Sequence, residues 1–197
     1  MVVDAVVFDV GETLVDETGM WTHVAAAAGL TPFTLMAGLG ATAALGRDHA
    51  DVWELLGVDR PAGEWDLAGW YDDALPCVER LRQAGYAVFA AGNVPASTEA
   101  LLRPHFDDVA SAARWDAWKP DPAFFARVAV LAGAPPERIA YVGDRVDNDV
   151  APALAAGMVA VHVRRGPWGH LQTPPAEAIR IRSLDELPAA FEQEAVS

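Results

Sequence analysis

Four short stretches carry residue types that could do chemistry together. Asp9 closes the apolar run VVDAVVFD and is followed by Gly11, Glu12 and Thr13. Gly92 and Asn93 follow the run YAVFAA, Lys119 stands in WKPDP, and Asp144, Asn148 and Asp149 lie in YVGDRVDND. Carboxylates brought face to face repel one another unless a cation sits between them. Oxygen donors without clustered Cys or His favour Mg²⁺ over zinc or copper, and the five His residues here are scattered singly. Lys119 would offset the charge of a carboxylate and of a bound anion. A carboxylate nucleophile, a divalent cation and a lysine are the parts that phosphoryl transfer uses. Of the fourteen basic residues thirteen are Arg, so the single Lys marks a position that asks for a compact ammonium.

These residues meet only if the elements carrying them end at a common edge. Val2 to Phe8 is an apolar run stopped by a turn, which reads as a buried strand. Tyr86 to Ala91, Val109 to Ala112, Arg138 to Val142 and Val159 to Val163 read as further strands. Between and after them Ala74 to Gln83, Pro95 to Arg103, Pro122 to Leu131, Val150 to Ala156 and Leu184 to Glu192 read as helices. The last has Ser183 as N-cap with Glu186 three residues on. This alternation predicts an α/β fold, a doubly wound parallel sheet covered on both faces. Its strand ends share the edge where such sheets bind ligands.

Residues 17–73 break the rhythm. Trp21 to Ala28, Phe33 to Leu45 and His49 to Leu56 read as short helices, forming a small helical insertion that also holds Trp21, Trp53, Trp65 and Trp70. Gly38, Gly40 and Ala43 match a dinucleotide-binding GxGxxA pattern, but no strand precedes them and the match is accidental.

The bulk properties narrow the field. A length of 197 residues fits one domain with an insertion. The hydrophobic content of 52% is dispersed, and no run is long enough to cross a bilayer. No secretion signal is visible, and the lone Cys77, read as a small core residue on a helix, suits a reducing cytoplasm. A net charge of −14 argues against nucleic acid, which is bound through clustered Lys and Arg. The expected partner is a small phosphorylated substrate, with neither nucleic acid nor membrane.

FDVGETLVD, VFAAGNV, WKPDPAFF and YVGDRVDNDVAPALAAGM resemble the four motifs of the haloacid dehalogenase (HAD) superfamily, and the likeness runs over nearly the whole chain. It implies a HAD-like Rossmannoid core of residues 1–16 and 74–197 with a C1-type cap at 17–73. It puts the family nucleophile on Asp9, the phosphate-binding position of the second motif on Gly92 beside Asn93, and the lysine on Lys119. The metal-binding aspartate falls on Asp144 and a supporting acid on Asp149, next to Asn148. Asp9, Asp144 and the Gly11 carbonyl would then hold Mg²⁺.

Two departures matter. The family's phosphatases carry a second aspartate, a general acid and base, where this chain has Gly11. Such groups contribute roughly 10²–10⁴-fold, and Glu12 is the adjacent acid that could substitute. Gly92 removes a hydroxyl contact to phosphate and leaves the backbone N–H groups of Gly92 and Asn93. Dehalogenases also lack the second aspartate, but they have a bulky aromatic there and a serine in the second motif. Gly11 and Gly92 fit neither detail. The expectation is a Mg²⁺-dependent phosphatase working through an aspartyl-phosphate on Asp9. The alternative is a catalytically weakened HAD-like ligand- or partner-binding protein, with a 2-haloacid dehalogenase ranked behind both. Trp168, after the last predicted strand, is expected to line the entrance.

Overall fold

A computed structural model describes residues 2–63 and 69–196. Six strands, β1 (Ala5–Phe8), β2 (Ala87–Gly92), β3 (Asp108–Ser111), β4 (Ile139–Gly143), β5 (Val159–Val163) and β6 (Ile179–Ile181), form one sheet. All pairs are parallel, in the order β3-β2-β1-β4-β5-β6. Val6 and Phe8 point into one apolar layer and Ala5 and Val7 into the other, since strand side chains alternate. All four are buried, which is why β1 reads as a continuous apolar run. The chain winds outward from β1 in both directions, so the crevice at the carboxyl ends of β1 and β4 is the switch point where such sheets take ligands.

Between β1 and β2 lie α1 (Thr18–Ala27), α2 (Pro32–Ala44) and α3 (Val52–Leu56), followed by α4 (Ala74–Gln83). The later helices are α5 (Glu99–Leu102), α6 (Ala112–Trp115), α7 (Pro122–Ala132), α8 (Ala151–Ala155), α9 (Gly166–Leu171) and α10 (Leu187–Val196). The buried faces of α4 and α10 cover one side of the sheet, and those of α7 and α8 the other. Cys77 is buried on α4, as expected of a core residue, and burial pushes its thiol up to about 12.

The chain passes from β1 to α1 and back through a narrow neck. Val15 bridges antiparallel to Trp70, Asp16 N donates to Gly69 O (2.6 Å), and Tyr71 N donates to Leu14 O (2.9 Å). Beyond the neck, Val24, Leu35, Leu39 and Val52 close an apolar cluster of their own, into which Trp168 of α9 inserts. Gly38 lies inside α2, and a Cβ there would meet Val52 Cγ2 at 2.9 Å. It is a packing glycine, and the GxGxxA likeness has no turn to serve.

Several boundaries differ from the sequence expectation. β1 starts at Ala5 rather than Val2, which is exposed. The helix expected over Pro95 to Arg103 is a 3-10 turn (Ala96–Thr98) running into α5. The one expected over Leu184 to Glu192 opens as a 3-10 turn whose Ser183 Oγ accepts from Asp185 N (3.1 Å). α6, α9 and β6 were not expected, so Val159–Val163 is not the last strand. Trp65 lies outside the described residues. Among these residues no single helix is long and apolar enough to cross a membrane.

Candidate active site

Asp9 is the first residue past β1, and its amide donates to Val142 O of β4 (2.8 Å), which pins it beside that strand's end. Lys119 arrives from the loop before α7. Its Nζ donates to Asp9 Oδ1 (2.5 Å) and to Asp149 Oδ1 (2.6 Å), and all three residues are buried. Asn93 fixes the loop by clamping the Lys119 backbone: Nδ2 donates to Lys119 O (3.0 Å), and Oδ1 accepts from Lys119 N (2.8 Å). Burial opposes the ammonium, but the Asp149 and Asp9 carboxylates outweigh it and hold the Lys119 pKa well above its ordinary value. Nζ also lies 5.7 Å from the Tyr141 ring centre and 5.9 Å from that of Phe124, within cation–π range.

Asp149 sits in a π-helical turn, Val146–Val150, directly after β4. Gly143 makes room for it, since a Cβ there would fall 2.4 Å from Asp149 Cγ. Its second oxygen accepts from Arg145 N (3.0 Å), so both oxygens are occupied by protein donors. Asp144 is the first residue past β4 and faces the cavity with no protein donor on its carboxylate among the described residues. Burial, with the charges of Asp149 and Asp9 added, raises its carboxyl well above the ordinary range.

Asp9, Asp144 and Asp149 bring carboxylate oxygens within 4.8 Å of one another. One ammonium balances one of the three, and the excess negative charge calls for a cation. Asp144 has both oxygens left for it, Asp9 Oδ1 keeps a lone pair beside its bond from Lys119, and an all-oxygen donor set fits a hard ion such as Mg²⁺. Asn148 is half-buried on the cavity wall. Gly92 ends β2 beneath the site, and a Cβ there would lie 2.6 Å from Asp9 Oδ1. The Asp9 carboxylate thus fills the space a side chain at position 92 would take.

The turn after β1 is tight. Val10 O accepts from the amides of Leu14 and Val15 (2.9 Å each), and Glu12 adopts a φ of 52°, an uncommon conformation for a non-glycine residue. Glu12 is a brace: Oε2 accepts from Tyr71 OH (2.7 Å) and Oε1 from Glu17 N (2.9 Å). Arg165 stacks on the Tyr71 ring (4.2 Å) and donates to Thr13 O (2.7 Å). Glu17, which the sequence reading passes over, immediately precedes α1 and lines the cavity. Its Oε2 accepts from Trp21 Nε1 (3.0 Å). Its Oε1 lies 2.3 Å from where a Cβ on Gly11 would stand. Burial, reinforced by the charges of Glu12 and Asp9, pushes this carboxyl up to about 7. The one available signal was an acid six residues past a position where an acid is missing.

The cavity measures about 780 Å³ and runs from Asp9, Lys119 and Asp144 to Trp21, Trp53 and Trp168. Trp168 lines the cavity, but it stands on α9 rather than in a loop and is buried in the apolar cluster of the first helices. The Arg145 guanidinium, also absent from the sequence reading, lies 4.8 Å from the Trp168 ring centre. It donates to Asp147 (2.7 Å) and to Asp48 (3.4 Å), which ties the segment before α3 to the turn after β4.

A family model described as haloacid dehalogenase-like hydrolase matches residues 3–157. A glyceraldehyde 3-phosphate phosphatase from Methanopyrus kandleri is 34% identical over 108 residues, covering 52% of this chain and 46% of that protein. The chain therefore spans about half the length of that relative. A HAD phosphatase from Thermococcus onnurineus superposes with a TM-score of 0.63 at 24% identity, covering 95% of this chain and 97% of the other. The L-2-haloacid dehalogenase of Xanthobacter autotrophicus, solved with chloropropionic acid covalently bound, superposes with a TM-score of 0.65 at 19% identity, covering 96% and 98%. At these identities both likenesses concern the fold alone and do not choose between the two chemistries. The family match spans most of the chain and takes in Asp9, Lys119, Asp144 and Asp149, which meet at one sheet edge: the chain belongs to the haloacid dehalogenase-like hydrolases.

Proposed function

We propose that this hydrolase is a Mg²⁺-dependent phosphatase acting on a small phosphorylated metabolite through an aspartyl-phosphate on Asp9. One observation carries the reading: the buried Asp9–Lys119–Asp149 line beside Asp144 at the ends of β1 and β4. Lys119 occupies Asp9 Oδ1 and leaves the second oxygen to attack phosphorus in line. As the bond to the leaving group breaks, its electron pair departs with the leaving oxygen, and the Lys119 ammonium offsets charge on the phosphoryl group. Water then attacks the aspartyl-phosphate, releases phosphate and regenerates Asp9. Asp9, Asp144 and the Gly11 carbonyl are the groups that would hold Mg²⁺, whose charge, when bound, offsets the carboxylates and the incoming phosphate. Asp149 and Asn93 position Lys119, one at its ammonium and the other at its backbone. On this reading residues 17–73 are the cap, residues 1–16 with 74–197 are the core, and the cavity walls contributed by the cap select the substrate.

The phosphatase named among the relatives favours phosphate over halide and makes a triose phosphate the first metabolite to try. Gly11 keeps a second reading in play, a weakened ligand- or partner-binding protein. The expected result is phosphate release from p-nitrophenyl phosphate, acetyl phosphate and glyceraldehyde 3-phosphate in Mg²⁺. Asp9→Asn should abolish it, and mass spectrometry of quenched wild type should find a phosphoryl group on Asp9. Binding of Mg²⁺ and vanadate without turnover would establish the binding reading. Halide release from 2-chloropropionate would establish the dehalogenase.

A further inference from the structure

We propose that Glu17 does the proton transfer that position 11 cannot, so that the acid has moved from the turn after β1 to the start of α1. This inference rests on phosphoryl transfer at Asp9. A Cβ on Gly11 would lie 2.3 Å from Glu17 Oε1 and 2.9 Å from its Cδ. The Glu17 carboxyl therefore fills the volume in which an aspartate side chain at position 11 would begin. It is held there from two sides. Trp21 Nε1, four residues on, donates to Oε2 (3.0 Å), and Glu12 Oε1 accepts from the Glu17 amide (2.9 Å). Oε1 takes no donor among the described residues, and Glu17 lines the same cavity as Asp9 and Lys119.

Glu12, nearer in sequence, does not serve. Its two oxygens accept from Tyr71 OH and from Glu17 N, and its side chain packs beneath Gly166, where an added Cβ would meet Glu12 Oε2 at 2.8 Å. Glu12 is instead a positioning residue that sets the chain at Glu17. Gly11 accordingly leaves the Glu17 carboxyl its place, because a side chain there would have to displace it.

The two half-reactions balance with water as the only co-reactant. Protonated Glu17 gives its proton to the leaving oxygen as the phosphorus–oxygen bond breaks and that bond's electron pair stays with the oxygen. The resulting carboxylate takes a proton from the water that attacks the aspartyl-phosphate. The bond between phosphorus and the Asp9 oxygen then breaks, its electron pair returns to Asp9, and Glu17 is protonated for the next turnover.

Glu17→Gln preserves shape and the acceptor for Trp21 but carries no transferable proton. Its turnover of glycerol phosphate should fall about 10²–10⁴-fold, the range of general acid–base effects. With p-nitrophenyl phosphate, whose leaving group departs unaided, it should still give a stoichiometric burst of nitrophenolate. A slow steady state should follow as phosphorylated Asp9 accumulates. Exchanging the acid back, with Gly11→Asp and Glu17→Gly together, should recover much of the glycerol phosphate turnover. Unchanged glycerol phosphate turnover in Glu17→Gln would overturn the proposal, as would loss of the burst together with failure of the exchange. A wild type that releases no phosphate from either ester and forms no phosphorylated Asp9 would remove the phosphatase reading itself and this proposal with it.

Discussion

Lys119 shows how one residue can carry both a reaction and a fold. Its ammonium is buried against Asp9 and Asp149, so its removal leaves two carboxylates facing one another without compensation. Breaking a buried pair from one side typically costs about 3–5 kcal/mol. Lys119→Met should therefore lose activity and lower the urea midpoint together. Lys119→Arg keeps the charge but must seat a planar fork among Asp9, Asp149 and the rings of Phe124 and Tyr141. It should lose nearly as much activity with a smaller loss of stability, and a wild-type kcat in that variant would show that any cation serves. Asp9 and Asp144 were legible in the sequence because each follows an apolar run, Lys119 because it is the single Lys, and Asp149 through the likeness of its stretch to a family motif. Asn93 was legible as a site residue, but its grip on the Lys119 backbone was not. Glu17 could not be read, because its place depends on where α1 begins and how that helix packs over the turn.

At the level of elements, the close approach of β4 to the turn that follows it rests on Gly143. An added methyl would stand 2.4–2.5 Å from the Asp149 side chain, which has no room to retreat while both its oxygens are held. Overpacking of this kind costs about 1–3 kcal/mol. Gly143→Ala should lower Tm by an amount in keeping with that cost and reduce kcat by displacing Asp149 from Lys119. A variant with wild-type melting and kinetics would mean that the turn can shift freely. Five of the six strands were visible as apolar runs, since a sheet covered on both faces leaves no polar stripe to interrupt them. β6 was not, because three residues with the exposed Arg180 at their centre carry no pattern. α9 was hidden by its own opening, GPWG, which reads as a turn although proline fits the first turn of a helix.

For the molecule as a whole, the doubly wound architecture followed from the alternation of elements. The seating of the first three helices on the core did not, because it depends on contacts between distant segments. Trp168 inserts among those helices and Arg145 reaches Asp48, and neither contact has a local signature. The net charge of −14 and the surplus of carboxylates at the site both oppose the metal-free fold. A divalent cation at Asp9 and Asp144 would relieve the local part of that repulsion in the folded state only. Ligand binding restricted to the native state stabilises by about 2.7 kcal/mol at a hundredfold excess over Kd. For a chain of this length that corresponds to a rise in Tm on the order of 5–10 °C. The measurement compares MgCl₂ with NaCl at matched ionic strength, so that screening of the overall charge cancels. Wild type should show the additional Mg²⁺-dependent rise. Asp144→Ala should show none, while its metal-free Tm equals or exceeds that of wild type, because one member of a crowded set of like charges is gone. The same Mg²⁺-dependent rise in both proteins would place the cation elsewhere and leave Asp144 without its proposed role.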